Sequence, residues 1–213
     1  MVRETAITKV ILSLTEAEDR LGINRTDDEN FFPEWTDDLP TLSDREKESL
    51  DLVRRRFLYH RQDGSLTEGT VKLLIGAPLL EIAGFYDSPY KIQGEPSVEL
   101  VWDEDNPEEI LRGRIDVLVV QGQFWIVILE SKWTTISALT ALPQALAYMA
   151  AAPISEKPVF AMLTNGDDLV FVKLAKQNRN EYDVSAPFSP FPTRNQLYTV
   201  LKILKRIGKQ IAS

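Results

Sequence analysis

The sequence predicts an α/β protein in which a mixed central β-sheet is flanked by helices and preceded by an N-terminal helical extension. Two observations support this fold class. Short runs rich in Val, Ile, Leu and Trp, typical of strands, occupy residues 97–102, 111–120, 124–132, 158–164 and 168–174. Segments with apolar residues at helical spacing come before, between and after these runs. Because such an order buries both faces of a sheet, we expect a sheet covered by helices.

The first three helices are predicted from apolar spacing and from capping residues. Residues 4–21 carry apolar side chains at roughly helical spacing and predict the first helix. Ser43 opens a Ser-x-x-Glu capping box, so the second helix is expected to begin there and run to about Tyr59. Thr67 can cap a third helix, which Gly84 would follow.

The strand-like runs alternate with two further helices. Residues 97–102, 111–120 and 124–132 predict three successive antiparallel strands, the last two joined by a tight turn at 121–122. An Ala/Leu-rich helix follows at 137–151, where Pro143 either begins the helix or kinks it. Two more strands and a final helix at 194–211 complete the chain. We expect one compact unit, with a helical region at 1–60 and a core at 61–213.

Composition narrows the classes of function. The chain has 213 residues, of which 44% are hydrophobic, and it contains no cysteine. Disulfides, thiolate metal sites and a cysteine nucleophile are therefore excluded, and a metal ion would be held by oxygen. The chain shows neither a signal-peptide pattern nor an apolar run near the ~20 residues that a membrane span needs. A cytoplasmic protein without membrane contact is expected.

The net charge of −8, taken as an average over the whole chain, argues against binding of nucleic acid. The charge is, however, unevenly distributed along the chain. Residues 24–51 contain ten acidic and three basic residues, and residues 99–109 contain six acidic residues and no basic one. The rest of the chain is therefore net positive by five charges. Because phosphate binding depends on local basic patches, the charge distribution leaves a nucleic-acid partner open.

Acidic residues and a lysine interrupt two otherwise apolar strands. Asp116 lies in one strand, and Glu130 and Lys132 end the next. Alternation along a strand places Glu130 and Lys132 on one face. If the two strands pair around the turn at 121–123, Asp116 comes opposite residues near 128–130. Two carboxylates and an ammonium group would then converge.

Such a site has the chemistry of phosphodiester hydrolysis. Mg²⁺ prefers hard oxygen ligands and retains several waters, so two carboxylates can hold it while a phosphate oxygen completes the coordination. The ion would polarise the phosphoryl group and activate water, and a lysine could orient that water or stabilise the developing charge. Mg²⁺ is the expected cofactor, and Mn²⁺ is expected to substitute for it.

These motifs resemble the PD-(D/E)XK nuclease superfamily, and within it the N-terminal nuclease domain of type I restriction enzyme R subunits and its small stand-alone cyanobacterial relatives. The resemblance covers most of residues 43–210. It rests on the following segments: Glu68, Gly113-Arg-Ile-Asp116, Glu130-Ser-Lys132, Gln144-x-x-x-Tyr148 and Thr164-Asn-Gly166. One departure is Ile115, which stands where the superfamily's name expects proline, although members often lack that proline.

The resemblance implies a restriction-endonuclease-like core and a role for each matching residue. Asp116, Glu130, the Ser131 carbonyl and Glu68 would bind the metal, and Lys132 would be the catalytic lysine. The resemblance also implies substrate contacts, at Gln144, Tyr148 and Arg114. The expected activity is Mg²⁺-dependent cleavage of DNA, with a homodimer as the simplest arrangement for cutting both strands of a duplex.

Alternatives stay open because each motif alone is weak. Glu130 and Lys132 could be an ordinary same-face surface pair, and Glu68 could complement a helix dipole. A second hypothesis is therefore a catalytically inactive protein of the nuclease fold that binds DNA or an unidentified partner protein. A third is a metal-free protein-interaction domain.

Overall fold

The structure is a computed structural model that describes residues 3–101, 109–121, 124–153, 156–176 and 180–212. Within these residues, parallel and antiparallel strands form two sheets, and helices pack around them. This arrangement confirms the predicted α/β class with mixed sheets flanked by helices. Among the described residues, no helix combines the length and apolarity needed to cross a membrane.

Helices occupy the positions that the capping residues indicate. The α-helices are α1 Ile7–Val10, α2 Leu14–Leu21, α3 Asp44–Arg61, α4 Glu68–Val71, α5 Ala77–Ile82, α6 Leu142–Ala151 and α7 Leu197–Ala212. Ser43 caps α3 with a capping box, as predicted, and Thr67 caps α4. A π-helical stretch, Lys72–Gly76, joins α4 to α5, so the predicted third helix is continuous but widened in its middle. A 3₁₀ turn precedes α6. Pro143 lies in the first turn of α6, so it begins this helix rather than kinking it.

The strands described are β1 Arg3–Ala6, β2 Asn24–Arg25, β3 Lys91–Gly94, β4 Ser97–Val101, β5 Glu109–Arg114, β6 Val117–Gln121, β7 Phe124–Ser131, β8 Val159–Thr164, β9 Leu169–Ala175 and β10 Glu181–Val184. Seven of them form the larger sheet in the order β2-β10-β9-β8-β7-β6-β3, and three form a smaller sheet in the order β1-β5-β4. Strands β7 and β8 are parallel and adjacent, which requires a crossover, and α6 provides it.

The larger sheet is buried on both faces. Phe160 and Met162 of β8 belong to an apolar cluster with residues of α3, α5 and α7, whereas Ala161 and Leu163 belong to a second cluster with residues of α1, α2 and α6. This alternation follows from the two-residue period of a strand. It explains why β8 is apolar from Val159 to Leu163, since a strand covered on both faces has no solvent side.

The N-terminal region differs from the prediction of one helix over 4–21. It begins with β1, which pairs in parallel with β5, and its helix is interrupted between α1 and α2. Ser13 caps α2 through a capping box with Glu16, a local signal that starts a new helix at that point. Residues 1–60 thus contain the expected helices and also β1 and β2, which pair with strands of the rest of the chain. The division at residue 60 stays a prediction.

The predicted strand over 111–120 is two strands in different sheets. Strand β5 ends at Arg114 and β6 begins at Val117, so Ile115 and Asp116 lie at the break. The Ile115 amide donates to the Pro96 carbonyl, and the Asp116 carbonyl accepts from the Glu95 amide. The prediction failed here because only Ile115 and Asp116 separate the two strands, and the strands are distinguished by their pairing partners.

Three other strands, β2, β3 and β10, were not predicted, because they are short and carry few apolar residues. The predicted antiparallel pairing of 124–132 with the strand before it is confirmed by β6 and β7. Two predictions extend beyond the described residues. These are the tight turn, which includes residue 122, and most of the acidic segment 99–109, of which 102–108 lie outside them.

Candidate active site

Asp116 and Glu130 are brought together by the pairing of β6 with β7. The register aligns Val117 with Leu129, so Asp116, one residue before Val117, lies beside the position of Glu130. The expected convergence of the two carboxylates therefore depends on the hairpin-like pairing that the sequence indicated. Asp116 lies between β5, a strand of the smaller sheet, and β6, a strand of the larger sheet.

The Glu130 carboxyl is the most perturbed acidic group of the site. The residue is 3% exposed, and burial raises its pKa from an ordinary value of 4.5 to about 7. Lys132 opposes this effect, while the nearby charges of Asp116 and Glu68 add to it. Oε1 accepts hydrogen bonds from Lys132 Nζ and Gln144 Nε2, both at 3.0 Å. Oε2 is buried and has no hydrogen-bond partner.

Lys132 lies directly after β7 and is held by its backbone and its side chain. Its amide donates to the Thr164 carbonyl at 2.8 Å, which extends the pairing of β7 with β8 by one residue. Its ammonium lies 3.0 Å from Glu130 Oε1 and 3.5 Å from Gln144 Oε1. The ammonium is therefore positioned beside the buried carboxylate, as the two-residue spacing predicted.

Helix α6 supplies the polar residues behind the carboxylates. Gln144 Nε2 donates to Tyr148 Oη at 2.6 Å and to Glu130. The Tyr148 hydroxyl donates to the Arg114 carbonyl at 3.0 Å and accepts from the Arg114 amide at 3.3 Å. Tyr148 is 1% exposed, and burial raises its pKa to about 12, so the hydroxyl stays protonated. This chain of hydrogen bonds ties α6 to the end of β5 and fixes the Gln144 amide.

The structure places the three other predicted residues at the edges of this network. Glu68 begins α4 and is near enough to raise the pKa of both Glu130 and Lys72. Ser131 is the last residue of β7, and its backbone aligns with Thr164. The Arg114 side chain is 68% exposed and pairs with Glu95 at 3.4 Å. Arg114 therefore contributes to the network through its backbone, while its guanidinium faces solvent.

Sequence reasoning missed one charged residue of the site. Lys72 Nζ lies 3.0 Å from Asp116 Oδ1, and both side chains are about four-fifths buried. The pKa of Lys72 is raised: burial lowers it, but the hydrogen bond and charge of Asp116, with the charges of Glu95 and Glu68, outweigh burial. A signal was present in the sequence, because Lys72 follows Glu68 by four residues and so lies on the same helical face.

The donor atoms fit a Mg²⁺ ion. Glu130 Oε2 is a buried carboxylate oxygen without a partner, and the Asp116 carboxylate lies beside it. Within the described residues, no set of three or more His, Asp or Glu side chains is arranged to hold a metal. The protein would therefore provide two carboxylates, with the Ser131 carbonyl, water and a phosphate oxygen as further ligands. Mg²⁺ tolerates such a site because it keeps several waters.

Comparison with known proteins adds a distant structural likeness. No family model matches the chain, and no curated protein matches it. Among solved structures, it is similar to a fragment from Vibrio vulnificus YJ016 described as an HsdR subunit of a type I restriction enzyme. The identity is 18% and the TM-score 0.41, and the match covers 59% of this chain and 24% of that chain. The matched part is thus about a quarter of that protein's fragment.

Proposed function

We propose that this protein is a Mg²⁺-dependent nuclease of the PD-(D/E)XK class that hydrolyses phosphodiester bonds of DNA, with Mn²⁺ able to replace Mg²⁺. One observation supports this proposal above all others. Glu130 is a nearly fully buried carboxylate with an unpartnered oxygen, and it lies beside Asp116 and Lys132. Burying a charged group without full pairing costs free energy, so such a group is commonly retained for function.

The residues of the site would have different roles in metal binding and in hydrolysis. Asp116 and Glu130 would hold the ion, with the Ser131 carbonyl as a further oxygen donor and Glu68 reaching the ion through water. When bound, Mg²⁺ would polarise a phosphoryl oxygen and lower the pKa of a bound water. Lys132 would orient the attacking water or donate to the phosphate oxygen on which charge develops.

Residues of α6 position these groups. Gln144 contacts both Glu130 and Lys132, so it fixes the relative placement of carboxylate and ammonium. Tyr148 holds Gln144 from the buried side, which makes it a positioning residue rather than a direct substrate contact. Gln144 and the exposed Arg114 are the residues of this group that a DNA strand could reach.

The test is cleavage of supercoiled plasmid and of labelled single-stranded and duplex oligonucleotides in Mg²⁺ or Mn²⁺. Wild-type protein is expected to nick DNA, and Asp116→Ala and Glu130→Ala are expected to abolish cleavage. Lys132→Met is expected to reduce the rate about 100-fold or more, the usual scale for loss of a proton-transfer or charge-stabilising group. Glu48→Ala, at an exposed position of α3, is the matched control and should cut like wild type.

Metal binding provides an independent readout. Mg²⁺ or Mn²⁺ should raise the melting temperature of wild type and of Glu48→Ala but not of the Asp116→Ala/Glu130→Ala double variant. Cleavage that survives in Asp116→Ala, Glu130→Ala and Lys132→Met would refute the proposed site.

A second candidate function is binding of DNA or of a partner protein without turnover. The observation in its favour is that each carboxylate already has a cationic partner, since Lys72 pairs with Asp116 and Lys132 with Glu130. Tight DNA binding in EDTA, together with no cleavage in any divalent ion, would favour this second function.

A further inference from the structure

Lys72 is a partly buried cation that the nuclease motifs do not include. We infer that Lys72 is a displaceable counter-ion, which neutralises Asp116 in the metal-free protein and binds a phosphate oxygen of the DNA strand once a metal ion has taken Asp116. This inference rests on the proposed function, because it assigns Lys72 a part in metal and substrate binding at that site.

The contacts of Lys72 are those of a functional pair rather than of a surface ion pair. Its Nζ donates to Asp116 Oδ1 at 3.0 Å, and the two side chains are 25% and 18% exposed. By contrast, Lys47 and Asp44 on α3 form a pair of similar length, 2.9 Å, with 43% and 93% exposure. The electrostatic attraction within a partly buried ion pair is stronger than that within a pair surrounded by water.

The backbone around Lys72 is also unusual. The residue begins the π-helical stretch Lys72–Gly76, which separates α4 from α5. Such widened turns are uncommon and occur often at functional sites, where they re-aim a side chain. Glu68, one turn earlier, also interacts with Lys72 through its charge. A single helical turn therefore presents one acid and one base to the two strands that carry the carboxylates.

The charges of the site explain why Lys72 would be displaced. Lys72 pairs with Asp116 and Lys132 pairs with Glu130, so a lysine partly neutralises each of these two carboxylates when no metal is present. A divalent ion that binds both carboxylates replaces this neutralising charge and makes the two ammonium groups available. The anion that then enters the site is the DNA phosphate, and a lysine is a suitable point-charge partner for it.

The first experiment measures metal binding without DNA. Calorimetric titration of Mn²⁺ into wild type, Lys72→Met, Lys72→Arg and the control Lys47→Met gives the dissociation constants. Because Lys72→Met removes a cation that competes for Asp116, it should bind Mn²⁺ about tenfold tighter, the lower end of what a charge partner at this distance exerts. Lys72→Arg and Lys47→Met should bind Mn²⁺ as wild type does.

The second experiment measures DNA binding as a function of salt. A labelled oligonucleotide is titrated in Ca²⁺, with its integrity checked on a denaturing gel, at several KCl concentrations. Loss of one phosphate contact weakens binding to all sequences alike and lowers the slope of log K against log salt by about 0.7 to 0.9. Lys72→Met should show both changes, whereas Lys72→Arg and Lys47→Met should keep the wild-type slope.

The two readouts move in opposite directions only if Lys72 has the inferred role. If Lys72 merely supported the fold, its loss would disturb Asp116 and weaken metal binding. Weaker or unchanged Mn²⁺ binding in Lys72→Met, or an unchanged salt slope, would overturn the inference while the proposed function stood. If wild type bound no metal, or bound it equally well after Asp116→Ala, the proposed function and this inference would both fail.

Discussion

The substitution Glu130→Gln is expected to stabilise the metal-free protein at pH 8 and to change its stability little near pH 4.5. In the folded state, burial lets this carboxyl keep its proton up to about pH 7, whereas in the unfolded chain it loses the proton near 4.5. Between these values the folded state binds more protons than the unfolded state, so the free energy of unfolding falls as pH rises. A neutral amide avoids this loss.

The size of the effect follows from the pKa. Raising the pKa from 4.5 to about 7 corresponds to about 3 kcal/mol, at about 1.4 kcal/mol per pKa unit. This pKa already includes the attraction of Lys132 for the carboxylate, which opposes the effect of burial. The expected gain at pH 8 is therefore about 3 kcal/mol.

The assay is urea unfolding of wild type and variant in EDTA, at pH 4.5, 6 and 8, with fluorescence as the probe. Glu48→Gln, an exposed glutamate on α3, serves as the control and should show no pH-dependent difference. A Glu130→Gln protein that is less stable than wild type at pH 8 would refute the reasoning. So would a stability difference that is the same at all three pH values.

Three further predictions concern the supports of the site. Gly113→Ala should destabilise the protein by about 1 to 3 kcal/mol in urea unfolding, because the new methyl group would overlap the buried Tyr148 ring. The control is Gly94→Ala, whose new methyl group meets no atom within 4 Å and should leave stability nearly unchanged. Tyr148→Phe should cost about 1 to 3 kcal/mol by the same measurement, since two backbone groups and an amide lose a buried partner; unchanged stability and cleavage would contradict the positioning role. Lys173→Met should lower the free energy of unfolding by about 3 to 5 kcal/mol, because it leaves the buried Glu34 carboxylate without its cation. A loss below about 1 kcal/mol would show that the pair is not effectively buried.

Metal affinity should also depend on pH through Glu130. Because the carboxyl must lose its proton to bind Mn²⁺ and its pKa is about 7, affinity should rise from pH 6 to pH 8 and then level off. Titration calorimetry in buffers of different ionisation enthalpy should detect proton release at pH 6 and little at pH 8. Equal affinity across this range would show that Glu130 is not a ligand.

Much of the candidate site could be predicted because its residues are close in sequence. Glu130 and Lys132 share a strand end, and Gln144 and Tyr148 are one helical turn apart, so local geometry alone places each pair on one face. The pairing of β6 with β7, which brings Asp116 to Glu130, also follows from two apolar runs joined by a short connection. Short-range regularities of this kind are present in the sequence itself.

The local sequence also determined the helix starts and the class of the fold. The capping box at Ser43 and the cap at Thr67 identify α3 and α4, because these contacts involve residues only three apart. The order of helices and apolar strands determined that a sheet would be covered by helices. The absence of cysteine determined that no metal site would use thiolate ligands.

Only the tertiary structure decided where the chain leaves one sheet for another and which charges meet. The break at Ile115 and Asp116 depends on β5 pairing with β1, which lies far away along the chain, whereas β6 pairs with the neighbouring strand β7. The contact of Lys72 with Asp116 spans 44 residues, and the contact of Gln144 with Glu130 joins α6 to β7. The pKa of a carboxyl is set by its surroundings, so its chemistry appears only once those distant segments have packed around it.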